Sequence, residues 1–226
     1  MTTEMTTEMT TDTSAKAAIL RAIRRATAAA PEAASIPREY AQRDARPRRV
    51  ILDEFVERVR DYQAQVERVD AAALPSAIAG ACVRYGVRRL VTPADTPAEW
   101  VPQRVEALPD AQPLSNAALD GSDAVLTGCA FAIAQTGSIV LDGGRYQGRR
   151  ALSLLPDRHL CVVFAEQVVG SVPEGIAQVA PAAVRPITVI SGPSATSDIE
   201  LARVEGVHGP RTLHVLLVGT SDSGDS

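Results

Sequence analysis

Lysine is almost absent from this chain: Lys16 is the only one, and every other basic side chain is arginine. With alanine so abundant, that imbalance is read as a GC-rich coding bias rather than a device for holding phosphate. Cysteine is scarce too. Cys82, Cys129 and Cys161 are far apart, odd in number and form no CxxC spacing, which argues against a structural zinc or an iron–sulfur cluster held by this chain alone. Each lies in or beside an apolar stretch and is expected as a buried, reduced thiol. No apolar run reaches the length of a membrane span, and no charged-then-apolar leader opens the chain, so a cytoplasmic protein is expected. GxGxxG and GxxxxGK[ST] are both missing, which disfavours a dinucleotide or nucleoside triphosphate site. A net charge of −4 argues against nucleic acid or an acidic membrane surface as partner.

What is present is enough for one domain with an appended helical segment: 226 residues, 46% of them apolar. Residues 1–13 repeat MTTE with no apolar periodicity and read as a disordered tail. Residues 14–74 read as a helical segment. Ile19, Leu20 and Ile23 share one helical face before Pro31, and the stretch from Pro31 to Pro47, with three prolines, reads as a linker. A long amphipathic helix is expected from Arg48 to Asp70, because Ile51, Phe55, Val59, Tyr62, Val66 and Val69 recur at spacings of three and four. From 75 to 220 short helices and apolar strands alternate. A helix over Ser76–Tyr85 closes at Gly86, and strands are expected at Arg89–Thr92, within Ala124–Ala134, and at Gly137–Asp142. Further strands are expected at His159–Ala165, Pro186–Ser191 and Thr212–Gly219, with helix-compatible residues from Ser197 to Val204. Several are apolar throughout, as strands covered on both faces are; the pattern predicts α/β with a mostly parallel or mixed sheet. Residues 221–226 read as a frayed tail.

Four clusters carry chemistry. The first is the strand–Gly-Pro–helix junction from Arg185 to Glu200, placed where open α/β sheets bind ligands. Ser197 and Glu200 fit a capping box and Asp198 suits a helix N-terminus, which is a structural account of all three. The functional alternative is a cradle made by Gly192, Ser194 and Thr196, with Asp198 and Glu200 as candidate catalytic carboxylates in a pocket of mixed polarity. The second runs from Thr127 to Ser138: its small residues permit close strand packing or close approach to a ligand, and Gln135 and Thr136 are its candidates for facing a pocket. In the third, Arg149 and Arg150 follow Gly148 and could clamp a carboxylate or phosphate, or could simply be solvated. The fourth is the loop from Glu205 to Arg211, in which His208, flanked by Val207 and Gly209, is a candidate general acid or base and Arg211 a candidate ligand contact. His214, alternating with apolar strand residues, reads as structural.

Taken together, TGCAFAIAQTGSIVLD (127–142), GRRALSLLPDRH (148–159), GPSATSDIE (192–200) and RVEGVHGPRTLHV (203–215) resemble the lactate utilization protein C family, the LUD domain, over the last two-thirds of the chain. The resemblance implies a NagB/RpiA/CoA-transferase-like three-layer α/β sandwich preceded by N-terminal helices. It also implies a cytoplasmic role in oxidising L-lactate to pyruvate, as a non-redox subunit beside partner proteins that carry iron–sulfur clusters. No cofactor or metal is expected on this chain, and a small anionic or hydroxylated ligand is. A free-standing CoA transferase or sugar-phosphate isomerase is the alternative, with Glu166 or Glu200 as candidate nucleophile, and a binding module without turnover is another.

Overall fold

The computed structural model describes residues 15–28, 36, 39–179, 185–193, 195–196, 204–205 and 209–219. Both predicted tails lie outside this set, and so does the helix expected from Ser197, except at Val204. The chain divides into two units, residues 1–40 and residues 41–226. In the first, helix α1 (Ala15–Thr27) forms as its periodicity predicts, with Ile19, Leu20 and Ile23 exposed. Among the described residues no helix is long and apolar enough to cross a membrane.

The second unit begins with α2 (Arg48–Asp61), which enters from Pro47 and presents Ile51, Leu52, Phe55, Val56 and Val59 as its buried face. The helix stops sooner than its spacing suggests. Gln63 takes a left-handed conformation (φ 65°), and Gln65–Val69 form strand β1. Val66 and Val69 keep the helical spacing by coincidence; as β-branched residues they fill the strand position beside the last strand of the chain, where all five residues of β1 pair in parallel. Helix α3 (Leu74–Arg84) follows, and Gly86 closes it in the left-handed region as expected.

Strands β2 (Arg89–Thr92), β3 (Glu106–Pro109), β4 (Ala124–Thr127), β7 (Arg158–Phe164) and β12 (Thr212–Val218) complete the main sheet, in the order β1-β12-β7-β4-β2-β3. Every pairing in it is parallel. Helix α4 (Asn116–Asp120), capped by the hydroxyl of Ser115, leads into β4. A second, mixed sheet has the order β8-β5-β6-β9: β5 (Phe131–Ile133), β6 (Ser138–Leu141), β8 (Val168–Val169) and β9 (Thr188–Ile190). Helix α5 (Val172–Val179) follows β8, and β10 (Ala195–Thr196) pairs antiparallel with β11 (Val204–Glu205).

The near-continuous apolar strands are buried on both faces, as a covered parallel sheet requires. On one face Cys161, Val163, Val215 and Leu217 pack against α2 and against Ala132, Ile139 and Leu141 of the mixed sheet. On the other, Leu160, Val162, Leu216 and Val218 pack with Leu74, Ile78 and Cys82 of α3. The result is a layered α/β architecture, as predicted. Besides β1, a further strand differs from expectation. β9, read as a buried strand of the open sheet, is an edge of the mixed sheet, antiparallel to β6, with Val189 exposed. Its Thr-Val-Ile run has strand propensity without the double-sided burial that such a run usually signals.

Candidate functional site

Loops after β2 and after β4 leave the main sheet in opposite directions: the chain goes from β2 outward to β3, and from β4 toward β7. Such a switch point opens a crevice at the carboxyl ends of the strands. A cavity of about 750 Å³ lies there. Its wall takes Pro97, Glu99 and Trp100 from the segment after β2, Gly128, Cys129 and Ala130 from the end of β4, and Phe164, Glu166 and Gln167 from the end of β7. The loop after β6 adds Asp142, Gly144, Arg145, Tyr146 and Gln147, and Gln178 and Arg185 close the rim.

Hydrogen bonds hold this wall in place. Gln167 Nε2 donates to the carbonyl of Cys129 at 2.8 Å and to that of Ala130 at 3.4 Å, while its Oε1 accepts the Phe164 N–H at 2.9 Å. One amide thus ties the end of β7 to the end of β4. The Gly128 N–H donates to the Tyr146 carbonyl (2.7 Å), and the Tyr146 N–H to Asp95 Oδ2 (2.8 Å). Asp142 Oδ1 accepts the Gly144 N–H (2.9 Å), its N–H donates to Gln147 Oε1 (2.6 Å), and its other oxygen pairs with Arg185. Trp100 packs against Tyr146 (centroids 5.2 Å) and Phe164 (6.1 Å), and the Arg145 guanidinium lies 4.4 Å over the Tyr146 ring.

The cavity has carboxylates at Glu99 and Glu166, a neutralised pair at Asp142–Arg185, a stacked cation at Arg145 and the fixed amides of Gln147 and Gln167. That set suits a ligand with hydroxyl and amide-like groups beside an apolar ring, more than a bare phosphate. Arg48 stands beside the Glu166 and Glu174 carboxylates and donates to the Val168 carbonyl; burial lowers its pKa and the two carboxylates oppose that. Cys129 offers no thiolate to the wall, because hydrogen bonding to Cys161 and complete burial push its thiol well above the ordinary value. Among the described residues no group of His, Cys, Asp and Glu could hold a metal ion.

A second cavity of about 210 Å³ lies at the amino-terminal ends of β7 and β12, against His159 and Leu213. Two sequence candidates meet here. Arg150 and Gly192 line it, with Ser153, Ser191, Gly209 and Pro210. Gly192 is also a packing requirement: its φ is +83°, and a Cβ there would overlap the Tyr62 side chain.

Other candidates are placed elsewhere. Arg149 forks onto Asp110 (2.8 and 3.1 Å) and donates to the Leu114 carbonyl (2.7 Å). Burial alone would raise Asp110, but Arg149 and the Leu114 N–H outweigh it and hold the carboxyl below its ordinary value of 3.8. The stability this pair provides is therefore complete above the ordinary value and is lost as pH falls through the lowered folded-state pKa. In acid denaturation, Asp110→Asn is expected to flatten that limb; an unchanged limb would remove the pair from the acid response.

Gln135 Oε1 accepts the Val172 N–H at the start of α5 (3.2 Å). Thr136, Ser138 and Ser191 join in a row of hydroxyls, each step 2.8 Å. Arg211 pairs with Asp157. Thr196 is described only as backbone in β10, and Ser194, Asp198, Glu200 and His208 lie outside the described residues. His214 is buried with its Nδ1 3.2 Å from the Tyr85 hydroxyl, the structural role expected of it.

Sequence reasoning did not find Trp100, Tyr146, Gln147 or Gln167. The strand end at Thr92 is legible, and the rule that ligands gather at carboxyl ends points to the residues after it; the end of β4 at Thr127 is not marked within the apolar run 124–134. The motifs singled out in the sequence divide between the two ends of the sheet: Gly128, Cys129 and Ala130 line the large cavity, Arg150 and Gly192 the second.

Comparison with known proteins agrees with the architecture. The LUD domain matches residues 98–218. A lactate utilization protein C of Deinococcus radiodurans is 55% identical over 172 residues, 75% of this chain and 80% of that protein. Another, from Geobacillus thermodenitrificans, is 33% identical over 109 residues, 44% of this chain and 45% of that one. The crystal structure of a DUF162 family protein from Deinococcus radiodurans superposes with a TM-score of 0.68 at 48% identity, covering 77% of this chain and 99% of that one. This chain belongs to the LUD domain family.

Proposed function

We propose that the chain is a non-redox component of a cytoplasmic L-lactate utilization system, which oxidises L-lactate to pyruvate with iron–sulfur partner proteins carrying the electrons. The observation that carries this reading is the 55% identity to a lactate utilization protein C over 80% of its length. The thiols support the division of labour. Cys82 packs on one face of the main sheet and Cys129 and Cys161 on the other, so the three cannot meet at one cluster. The large cavity then receives a small hydroxylated ligand or a partner's side chain, with Glu99, Glu166, Gln147 and Gln167 as hydrogen-bonding groups.

Deleting the gene is expected to abolish growth on L-lactate as sole carbon source, and a plasmid copy to restore it. Co-expression with the cluster-bearing partners is expected to yield a complex, whereas the purified chain alone oxidises no L-lactate. Normal growth of the deletion strain on L-lactate would overturn the proposal.

Glu166 in the cavity wall favours a second reading, a CoA-transferase-type enzyme with this carboxylate as nucleophile. Incubation with acyl-CoA thioesters followed by intact-mass measurement tests it. No glutamyl thioester at Glu166 would eliminate that reading.

A further inference from the structure

We propose that the second cavity, walled by Arg150, Ser153, His159, Ser191, Gly192 and Gly209, is a binding site for a small oxyanion: the carboxylate of a short organic acid or a phosphate group.

Charge comes first. Arg150 is the only charged side chain in the wall, and no carboxylate stands there among the described residues. Its surroundings set it apart from the arginines nearby in sequence or fold. Arg149 pairs with Asp110, Arg185 with Asp142 and Arg211 with Asp157, whereas the bond recorded for Arg150 is to the Ser153 hydroxyl, at 3.3 Å. An anion in the cavity would give this cation its counter-charge.

The second observation is independent. His159 is 1% exposed, and its Nε2 is engaged with the Thr127 hydroxyl at 2.7 Å. Nδ1, the ring's other polar atom, has no hydrogen-bond partner among the described residues. An unpaired buried nitrogen is a standing cost to the fold, and a ligand acceptor removes it. The Thr127 hydroxyl has one proton, for Nε2 at 2.7 Å or for Cys161 Sγ at 4.0 Å; with it on the shorter bond the neutral ring carries its proton on Nδ1, the tautomer that can donate to an anion. Ser191 supplies a further donor. With Thr136 donating to Ser138 and Ser138 to Ser191, the last hydroxyl in the row keeps its proton for the cavity.

The cavity also sits where the recognisable segments of the chain converge. Arg150, Ser153 and His159 come from one, Gly192 from another and Gly209 from a third, while the segment at 127–142 supplies Thr127 and Ser138 from behind. Its volume of about 210 Å³ suits a ligand of a few heavy atoms, unlike the larger cavity at the other end of the strands.

The test uses the full chain at constant ionic strength. Acetate, L-lactate and inorganic phosphate are titrated by calorimetry, and the His159 ring nitrogens are followed by 15N NMR. At least one probe is expected to bind saturably and to shift the Nδ1 resonance, and the probe that does so identifies the ligand chemistry. Arg150→Met is expected to weaken binding about tenfold or more, and Ser191→Ala by a few-fold, while Arg49→Met on the exposed face of α2 leaves affinity unchanged. Both cavity variants alter exposed side chains, so loss of folding does not confuse the result. Binding of none of the three probes at millimolar concentration, or binding unaffected by Arg150→Met, would overturn the proposal. Either result leaves the growth test of the lactate-utilization reading untouched.

Discussion

Gly137→Ala is expected to destabilise the protein by about 3 kcal/mol, measured as a drop in the denaturation midpoint at unchanged slope. Gly137 closes the hairpin between β5 and β6 with φ +60°, where an L side chain is strained by about 1–2 kcal/mol. Space adds to this. A Cβ would stand 2.8 Å from the carbonyl carbon and Cβ of Arg58 and 2.9 Å from the Val59 nitrogen. These atoms belong to α2, whose Phe55 and Val59 are completely buried, so the helix cannot retreat without opening the core between it and the main sheet. A loss below about 1 kcal/mol would mean that the hairpin and helix separate freely.

The second large effect is expected at Gln167. Gln167→Ala removes the amide that serves two carbonyls and one N–H, leaving those part-buried groups to find other partners at roughly 1–3 kcal/mol each where water cannot reach. A total of about 2–4 kcal/mol is expected in chemical denaturation. Gln167→Glu is the sharper variant, because it keeps an acceptor for the Phe164 N–H but turns the donor toward Cys129 and Ala130 into a carboxylate oxygen. If Gln167→Glu were as stable as the parent protein, the amide would not be the tie between β4 and β7. Loosening that tie also widens the floor of the large cavity, so any ligand bound there is expected to lose affinity in step with stability.

Where burial and local chemistry agree, the sequence is easily read. Arg89–Thr92 reads as a strand and is one residue for residue, and the apolar runs of β7 and β12 signal the burial on two faces that they have. Where they disagree, it misleads. Val66 and Val69 extend a helical stripe by spacing alone, and only the parallel pairing with β12 makes them strand residues. The run 188–190 has the composition of a buried strand and half the burial. The large cavity was illegible for a different reason. Glu99, Tyr146 and Gln167 are scattered over 69 positions, and each looks ordinary in its own neighbourhood; only the order of strands in the sheet brings them together. Arg150 and Gly192 were legible because chemistry and a turn mark them locally.

The order of strands also decides how the main sheet ends. β1 and β3 are its edges, and both resist extension. β3 is four residues long, carries Glu106 at its start and finishes on Pro109, which has no N–H to offer; β1 places Glu67 and Arg68 in its middle. A strand from another chain therefore meets charge at either side and, at β3, a missing donor. Self-association by strand addition, the usual aggregation route of a sheet this apolar, is thus opposed at both margins of the main sheet.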